Sequence, residues 1–264
     1  MNAATQQDFA GKRVLVTGGS SGVGLAIARK LAQRGAIVAV TGRSAERGDQ
    51  AQAQLRTLNA GCLFVRADSA DYEQVKAGVQ RVHTEFGGID ILVSAGAEGS
   101  VKPTPFAEMT PDELTSGFTS RFFPRIYPVH AAVQLMRDQG AGAIVMITTD
   151  AARHPTPGES MIGAAGASVV LLTKALAREF SRWSVRVNSV AMTLTSDTPS
   201  WDRIFGEQSF ENKLFSKALE RFPSGRAPTA DEVADVALFL ASDASGQVTG
   251  QTVSANGGLS FGGW

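Results

Sequence analysis

The sequence predicts an α/β fold of the Rossmann type, a doubly wound parallel sheet of about seven strands with helices on both faces. Three observations carry that expectation. Short β-branched runs alternate along the chain with longer segments of helical periodicity, the pattern of repeated βαβ units. The first apolar run leads straight into a glycine-rich turn, residues 12–24, KRVLVTGGSSGVG. Finally, 264 residues with 25 basic and 25 acidic side chains suffice for one sizeable core and need no charged partner.

Strands are expected near residues 13–17, 37–41, 63–67, 89–93, 143–148, 186–190 and 251–254. Most of these runs are short and largely apolar, which suits strands buried on both faces of a parallel sheet. Helices fill the intervals. Gly35 closes the first, Asp71 caps the third, and Thr229 followed by Asp231 and Glu232 opens the last. No linker divides the chain, so residues 1–264 are expected to form one domain. The segment 193–226 departs from the alternation, carrying Trp201, Phe205, Phe210, Phe215 and Phe222 among polar residues, and is expected to be a helical lid.

Composition excludes several classes of function. The balanced charge does not suggest nucleic acid as a partner. The single cysteine, Cys62, cannot close an intramolecular disulfide, and the polar start MNAATQQDFAG has no signal-peptide stretch, so a cytoplasmic location is expected. Apolar runs such as 36–40 and 169–172 fall well short of the roughly 20 residues of a membrane span. No membrane partner and no metal are expected.

The glycine turn has a physical rationale. Where a strand ends and a helix begins, backbone must approach a pyrophosphate closely, and the helix N-terminus supplies N–H groups and partial positive charge. Gly18, Gly22 and Gly24 hold the positions that exclude side chains, with Thr17, Ser20, Ser21 and Val23 around them. The same glycines would also suit a tight βα turn without ligand, but their place in the first crossover favours a nucleotide.

The pattern Thr17-Gly18-x-x-x-Gly22-x-Gly24 resembles the cofactor turn of the short-chain dehydrogenase/reductase family, and the resemblance runs through nearly the whole chain. Asp68, followed by Ser69, resembles the family's adenine-contacting aspartate. Ala95-Gly96 resembles the end of its Asn-Ala-Gly motif, with Ser94 in the asparagine's place. Asn188-Ser189-Val190-Ala191, Gly225-Arg226 and the tail 248–258, VTGQTVSANGG, complete the match. Such relatives bind a nicotinamide dinucleotide. The second strand ends Thr41-Gly42-Arg43-Ser44, with no carboxylate for a ribose 2′-hydroxyl and an arginine suited to a 2′-phosphate, so NADP(H) is favoured over NAD(H). Ser21 stands where many NADP-selective relatives place a second basic residue, which tempers the preference.

The family's chemistry rests on an asparagine, a serine, a tyrosine and a lysine. A gapless overlay places Arg121, Thr149, Ile162 and Gly166 at these positions, and only Thr149 keeps a hydroxyl. In the family the tyrosine exchanges a proton with the substrate oxygen and the lysine lowers its pKa, tasks beyond isoleucine and glycine. No shift of alignment restores the tyrosine, because the chain has only Tyr72 and Tyr127 and neither follows residue 127. Lys174 lies eight residues beyond Gly166, about 12 Å along a helix. Met192-Thr193 also replaces the family's Pro-Gly after the sixth strand.

A positioned general acid is worth roughly 10²- to 10⁴-fold, while the hydride belongs to the cofactor. Ordinary carbonyl reduction should therefore suffer, and a small apolar or conjugated acceptor such as an enone or quinone should suffer less. The candidate replacements are Thr149, Arg121 and His154, with Asp150, Arg153 and Glu159 nearby. Arg121 can bind an anion or stabilise an oxyanion, or pair with a surface carboxylate; His154 can act as acid or base near neutral pH, or face solvent beside Pro155. Glu159 and Ser160 can equally form the first turn of a helix. The family favours an NADP(H)-dependent oxidoreductase with unusual acid–base groups. A non-redox enzyme and a silent cofactor-binding subunit stay open. Relatives pair through the helices after the fourth and fifth strands and often through the tail, so a homodimer or homotetramer is implied. The small residues of 163–168 suit a close helix pair or packing on the chain's own sheet.

Overall fold

Val14 and Val16 face one way from the first strand and Leu15 the other, and each packs into a different buried cluster. Two covered faces are what make the successive positions Val14, Leu15 and Val16 apolar. The computed structural model describes residues 8–96 and 102–261. Seven strands, β1 (Arg13–Thr17), β2 (Ile37–Gly42), β3 (Leu63–Arg66), β4 (Ile91–Ser94), β5 (Gly142–Thr149), β6 (Val185–Met192) and β7 (Thr252–Ala255), form one sheet in the order β3-β2-β1-β4-β5-β6-β7. All neighbours are parallel. The fourth strand begins two residues later than its apolar pattern suggests.

The helices are α1 (Gly22–Gln33), α2 (Ala45–Arg56), α3 (Tyr72–Phe86), α4 (Pro111–Gln139), α5 (Ser160–Phe180), α6 (Pro199–Gly206), α7 (Phe210–Leu219) and α8 (Ala230–Ala241). On one face Ile27 and Leu31 of α1, Leu55 of α2 and Val233 and Leu238 of α8 join the sheet. On the other, Val79 of α3, Met136 of α4 and Val169 of α5 do so. The expected helix ends hold: Gly35 follows α1 with φ +94°, the Asp71 carboxylate accepts the Glu73 and Gln74 N–H groups, and Thr229 forms a reciprocal cap with Glu232. β1 and β4 sit where the strand order reverses, so a crevice opens beyond their C-terminal ends.

Within the run of small residues at 163–168, Gly163, Ala165 and Gly166 pack against the chain's own fold, while Ala164 and Ala167 are exposed. A Cβ on Gly163 would come within 2.7 Å of the Ala151 carbonyl oxygen, and one on Gly166 within 2.6 Å of the Thr149 methyl. Both glycines thus admit the 3₁₀ turn Asp150–Ala152 that follows β5. The stretch Ser160–Trp183, with a mean hydropathy of 1.6, is long and apolar enough to cross a bilayer, longer than the short apolar runs suggest. Here its Ala165, Val169, Thr173, Ala177 and Phe180 are buried.

The segment expected as a lid forms α6 and α7. Its aromatic residues divide. Phe222 is buried with Leu194, Ile204 and Ala227, and Trp201, Phe205 and Phe215 pack against this small cluster, which anchors the segment. Phe210 lies half exposed over Gly158.

Candidate active site

The crevice is a cleft of about 650 Å³ running from the glycine turn, past the ends of β4, β5 and β6, to α6 and α7. Close backbone approach builds its first wall. Gly18 has φ +67°, and a Cβ there would meet Gly96 at 2.9 Å, locking the turn after β1 against the loop after β4. A Cβ on Gly24 would run into the Gly18 carbonyl oxygen. Ser21, the residue before α1, makes no side-chain capping bond, leaving the helix N-terminus to an incoming acceptor. These features fit the pyrophosphate of a dinucleotide.

Ser20, Ser21, Gly22, Val23 and Gly24 line this end with Arg43, Asp68, Ser69, Ala95 and Gly96. Thr17 is buried behind the turn, and the Ser44 hydroxyl caps α2 by accepting the Arg47 N–H, so neither lines the cleft. Arg47 does line it. The sequence reading overlooked this second cation, although the signal was simple: Arg43 and Arg47 flank a helix start at i and i+4.

At the other end, Thr149, Arg121, His154, Ile162 and Gly166 share one wall. The Thr149 oxygen accepts the Ala151 N–H at 3.2 Å, which leaves its own hydrogen to donate. Arg121 and Arg125 reach the cleft from successive turns of α4. Arg125, also overlooked, donates to the carbonyls of Ile147 and Arg121, while the Arg125 carbonyl accepts the Ser94 hydroxyl at 2.8 Å. Ser94 therefore ties the helix to β4 where an asparagine stands in relatives. Burial, and secondly the charge of Arg121, lower the Arg125 pKa to about 9. Burial lowers Arg121 as well, opposed by the charge of Glu159.

Two of the candidate groups near Thr149 serve the tail instead. The buried Asp150 carboxylate accepts Ser254 and Asn256 at 3.0 Å and also Ser260, and Arg153 donates to the Thr252 carbonyl at 3.1 Å and to Ser254. Glu159 occupies the N-cap position of α5 but makes no capping bond. It faces the cleft instead. Burial raises its pKa to about 7, against the opposing charge of Arg121 and a hydrogen bond with Thr156. Opposite lies Glu211 of α7, held by Arg203 of α6 at 2.5 and 3.0 Å. Trp201, Phe215, Met192 and Leu259 supply apolar surface.

A parallel sheet with this strand order, a side-chain-free turn at a helix N-terminus and a polar cleft at the switch point define a dinucleotide-binding α/β protein. A family profile described as enoyl-(acyl carrier protein) reductase matches residues 18–260. The 3-oxoacyl-[acyl-carrier-protein] reductase FabG of Chlamydia pneumoniae is 32% identical over 251 residues, covering 95% of this chain and 98% of that protein. Among solved structures, a short-chain oxidoreductase from Pseudomonas aeruginosa PAO1, described as containing an atypical catalytic center, matches with a TM-score of 0.87 and 32% identity, covering 97% of this chain and 100% of the other. An NAD+-bound xylitol dehydrogenase matches with a TM-score of 0.87 and 25% identity over 95% and 99% of the two chains. The chain belongs to the short-chain dehydrogenase/reductase family of oxidoreductases.

Proposed function

We propose that this chain is an NADP(H)-dependent oxidoreductase whose active site works without the family's tyrosine and lysine, on a small carbonyl or conjugated acceptor. The observation that carries this reading is the joining, in one cleft, of a dinucleotide cradle to the paired guanidinium groups of Arg121 and Arg125. Gly18, Gly22 and the α1 N-terminus hold the pyrophosphate, Asp68 and Ser69 flank the adenine, and Arg43 with Arg47 bind a ribose 2′-phosphate. When bound, the nicotinamide supplies the hydride. Thr149 donates a hydrogen bond to the acceptor oxygen, and Arg121 and Arg125 stabilise the negative charge that develops there. Ile162, Met192, Trp201 and Phe215 exclude water and favour an apolar body on the substrate.

The chain is read as one domain that assembles as a homodimer or homotetramer, consistent with Phe123 of α4 and Leu171 of α5 being exposed. Titrating NADPH and NADH against tryptophan fluorescence and melting temperature tests the cofactor, since a ligand of the folded state raises the midpoint. NADPH is expected to shift both, at lower concentration than NADH. Diones, quinones and enones are then followed by loss of NADPH absorbance. Binding without turnover would favour a silent cofactor-binding subunit or a non-redox enzyme.

A further inference from the structure

We infer that Glu159 is the proton donor of this active site, its carboxylic acid occupying the functional place of the absent phenol. The inference rests on the reading of the chain as a reductase. Its first support is position: Glu159 stands one helical turn before Ile162, on the cleft wall, at the entrance to α5. An N-cap carboxylate ordinarily turns back to accept the helix's own N–H groups. This one does not, and its side chain is directed to Thr156 and the Arg121 side of the cleft.

The second support is elimination among the cleft's own groups. Asp150 is consumed by Ser254, Asn256 and Ser260, and Glu211 by its two bonds to Arg203. Asp68 sits at the adenine end and accepts the Ala70 N–H at 3.0 Å. Tyr72 bonds His130 outside the cleft, at 2.7 Å, and Lys217 is exposed on α7. Glu159 and His154 are left on the cleft wall.

The charges facing Glu159 set its protonation. Arg121 of α4 favours the carboxylate, Glu211 of α7 opposes it, Arg203 of α6 is paired to Glu211, and Thr156 and His154 flank it from the preceding loop. Burial outweighs the attraction of Arg121 and brings the group to about 7, near the optimum for a general acid in neutral solution. Hydride addition at the acceptor carbon leaves the C=O electron pair on oxygen. The Glu159 O–H bond breaks as a new O–H bond forms on that oxygen, and the carboxylate left beside Arg121 regains a proton from water at the cleft mouth. Each turnover consumes one hydride and one proton.

The test compares the wild type with Glu159→Gln and His154→Gln. An infrared difference spectrum with ¹³C-labelled glutamate, wild type minus Glu159→Gln, reads the acid form without any substrate. A protonated-carboxyl band persisting at neutral pH is expected; its loss already at pH 5 would overturn the inference. With 9,10-phenanthrenequinone and 2,3-butanedione as probes, Glu159→Gln should lower kcat about 10²- to 10⁴-fold with NADPH affinity unchanged. It should also abolish the fall in wild-type rate above neutral pH; a fall that persists in Glu159→Gln and disappears in His154→Gln would overturn the inference. Unchanged turnover in Glu159→Gln refutes the donor role and leaves the reductase reading standing. A wild type inert to every probe, with the carboxyl band present, removes the reductase reading and the donor role with it.

Discussion

Replacing Gly166 by alanine should destabilise the protein, although the same change in a helix interior usually helps. An open helical position gains about 1 kcal/mol from Gly to Ala. At Gly166 the new Cβ would stand 2.6 Å from the Thr149 methyl, closer than real Cβ atoms come, and a tight 3.0 Å from the Ala152 Cβ. Overpacking of this kind costs about 1–3 kcal/mol, so a net loss of up to about 2 kcal/mol follows once the helical gain of about 1 kcal/mol is subtracted. Gly78 in α3 is the internal control. A Cβ there meets Ala67 and Val65 at an ordinary 3.7 Å, and Gly78→Ala should stabilise by about 0.5–1 kcal/mol. Urea denaturation with equal m-values reads both signs. A Gly166→Ala protein as stable as Gly78→Ala would show that α5 and the turn after β5 separate at no cost. The same clash bears on rebuilding the family's site: Gly166→Lys with Ile162→Tyr must first displace Thr149. The double variant is therefore expected to lose stability and gain no carbonyl reductase activity, measured with NADPH and a simple ketone.

Further outcomes follow from the same geometry. Arg47→Ala should weaken NADPH binding about ten- to a hundredfold, the value of one charge-assisted contact, and leave NADH binding unchanged in a fluorescence titration; equal losses would place Arg47 away from the 2′-phosphate. Asp150→Ala leaves the donors of Ser254, Asn256 and Ser260 without their buried acceptor, a cost of about 3 kcal/mol. Hydrogen exchange should then rise across 252–261, and unchanged protection there would contradict the role of Asp150 as the tail's anchor. The Glu159 carboxyl rises from 4.5 to about 7 on folding, so the folded state holds an extra proton between those values. The protonated acid is favoured at low pH, and stability falls as pH climbs through that window, by at most about 3 kcal/mol at 1.36 kcal/mol per unit. Glu159→Gln should flatten that slope in denaturation curves between pH 4 and 8; parallel curves would mean the carboxyl does not shift.

Much of the architecture was legible because its causes are local. β1 and its glycine turn lie within one short stretch, 13–24, and the caps Asp71 and Thr229 act on N–H groups two or three residues away. Patterns at such range survive in a linear string. The cleft was less legible. Asp150 looked as available as Glu159, yet its partners lie 104 to 110 residues further along the chain. Arg125 was passed over because an arginine in a helix between two prolines reads as surface, whereas here it bonds carbonyl oxygens at the end of β5 and in its own helix.

The order of residues by itself determined the doubly wound parallel sheet, the dinucleotide turn, the family, and the lack of a tyrosine where relatives carry one, since each depends on residue type at short spacing. Only the tertiary structure decided which polar groups are spent on holding the fold and which still face the cleft. Thr149 caps a 3₁₀ turn, Asp150 binds the tail, and Glu159 is left half-buried in the cleft within reach of the Arg121 charge. The physical reason is that a side chain's hydrogen bonds and desolvation are set by neighbours brought together from distant parts of the chain, and those neighbours exist as such only once the sheet has closed.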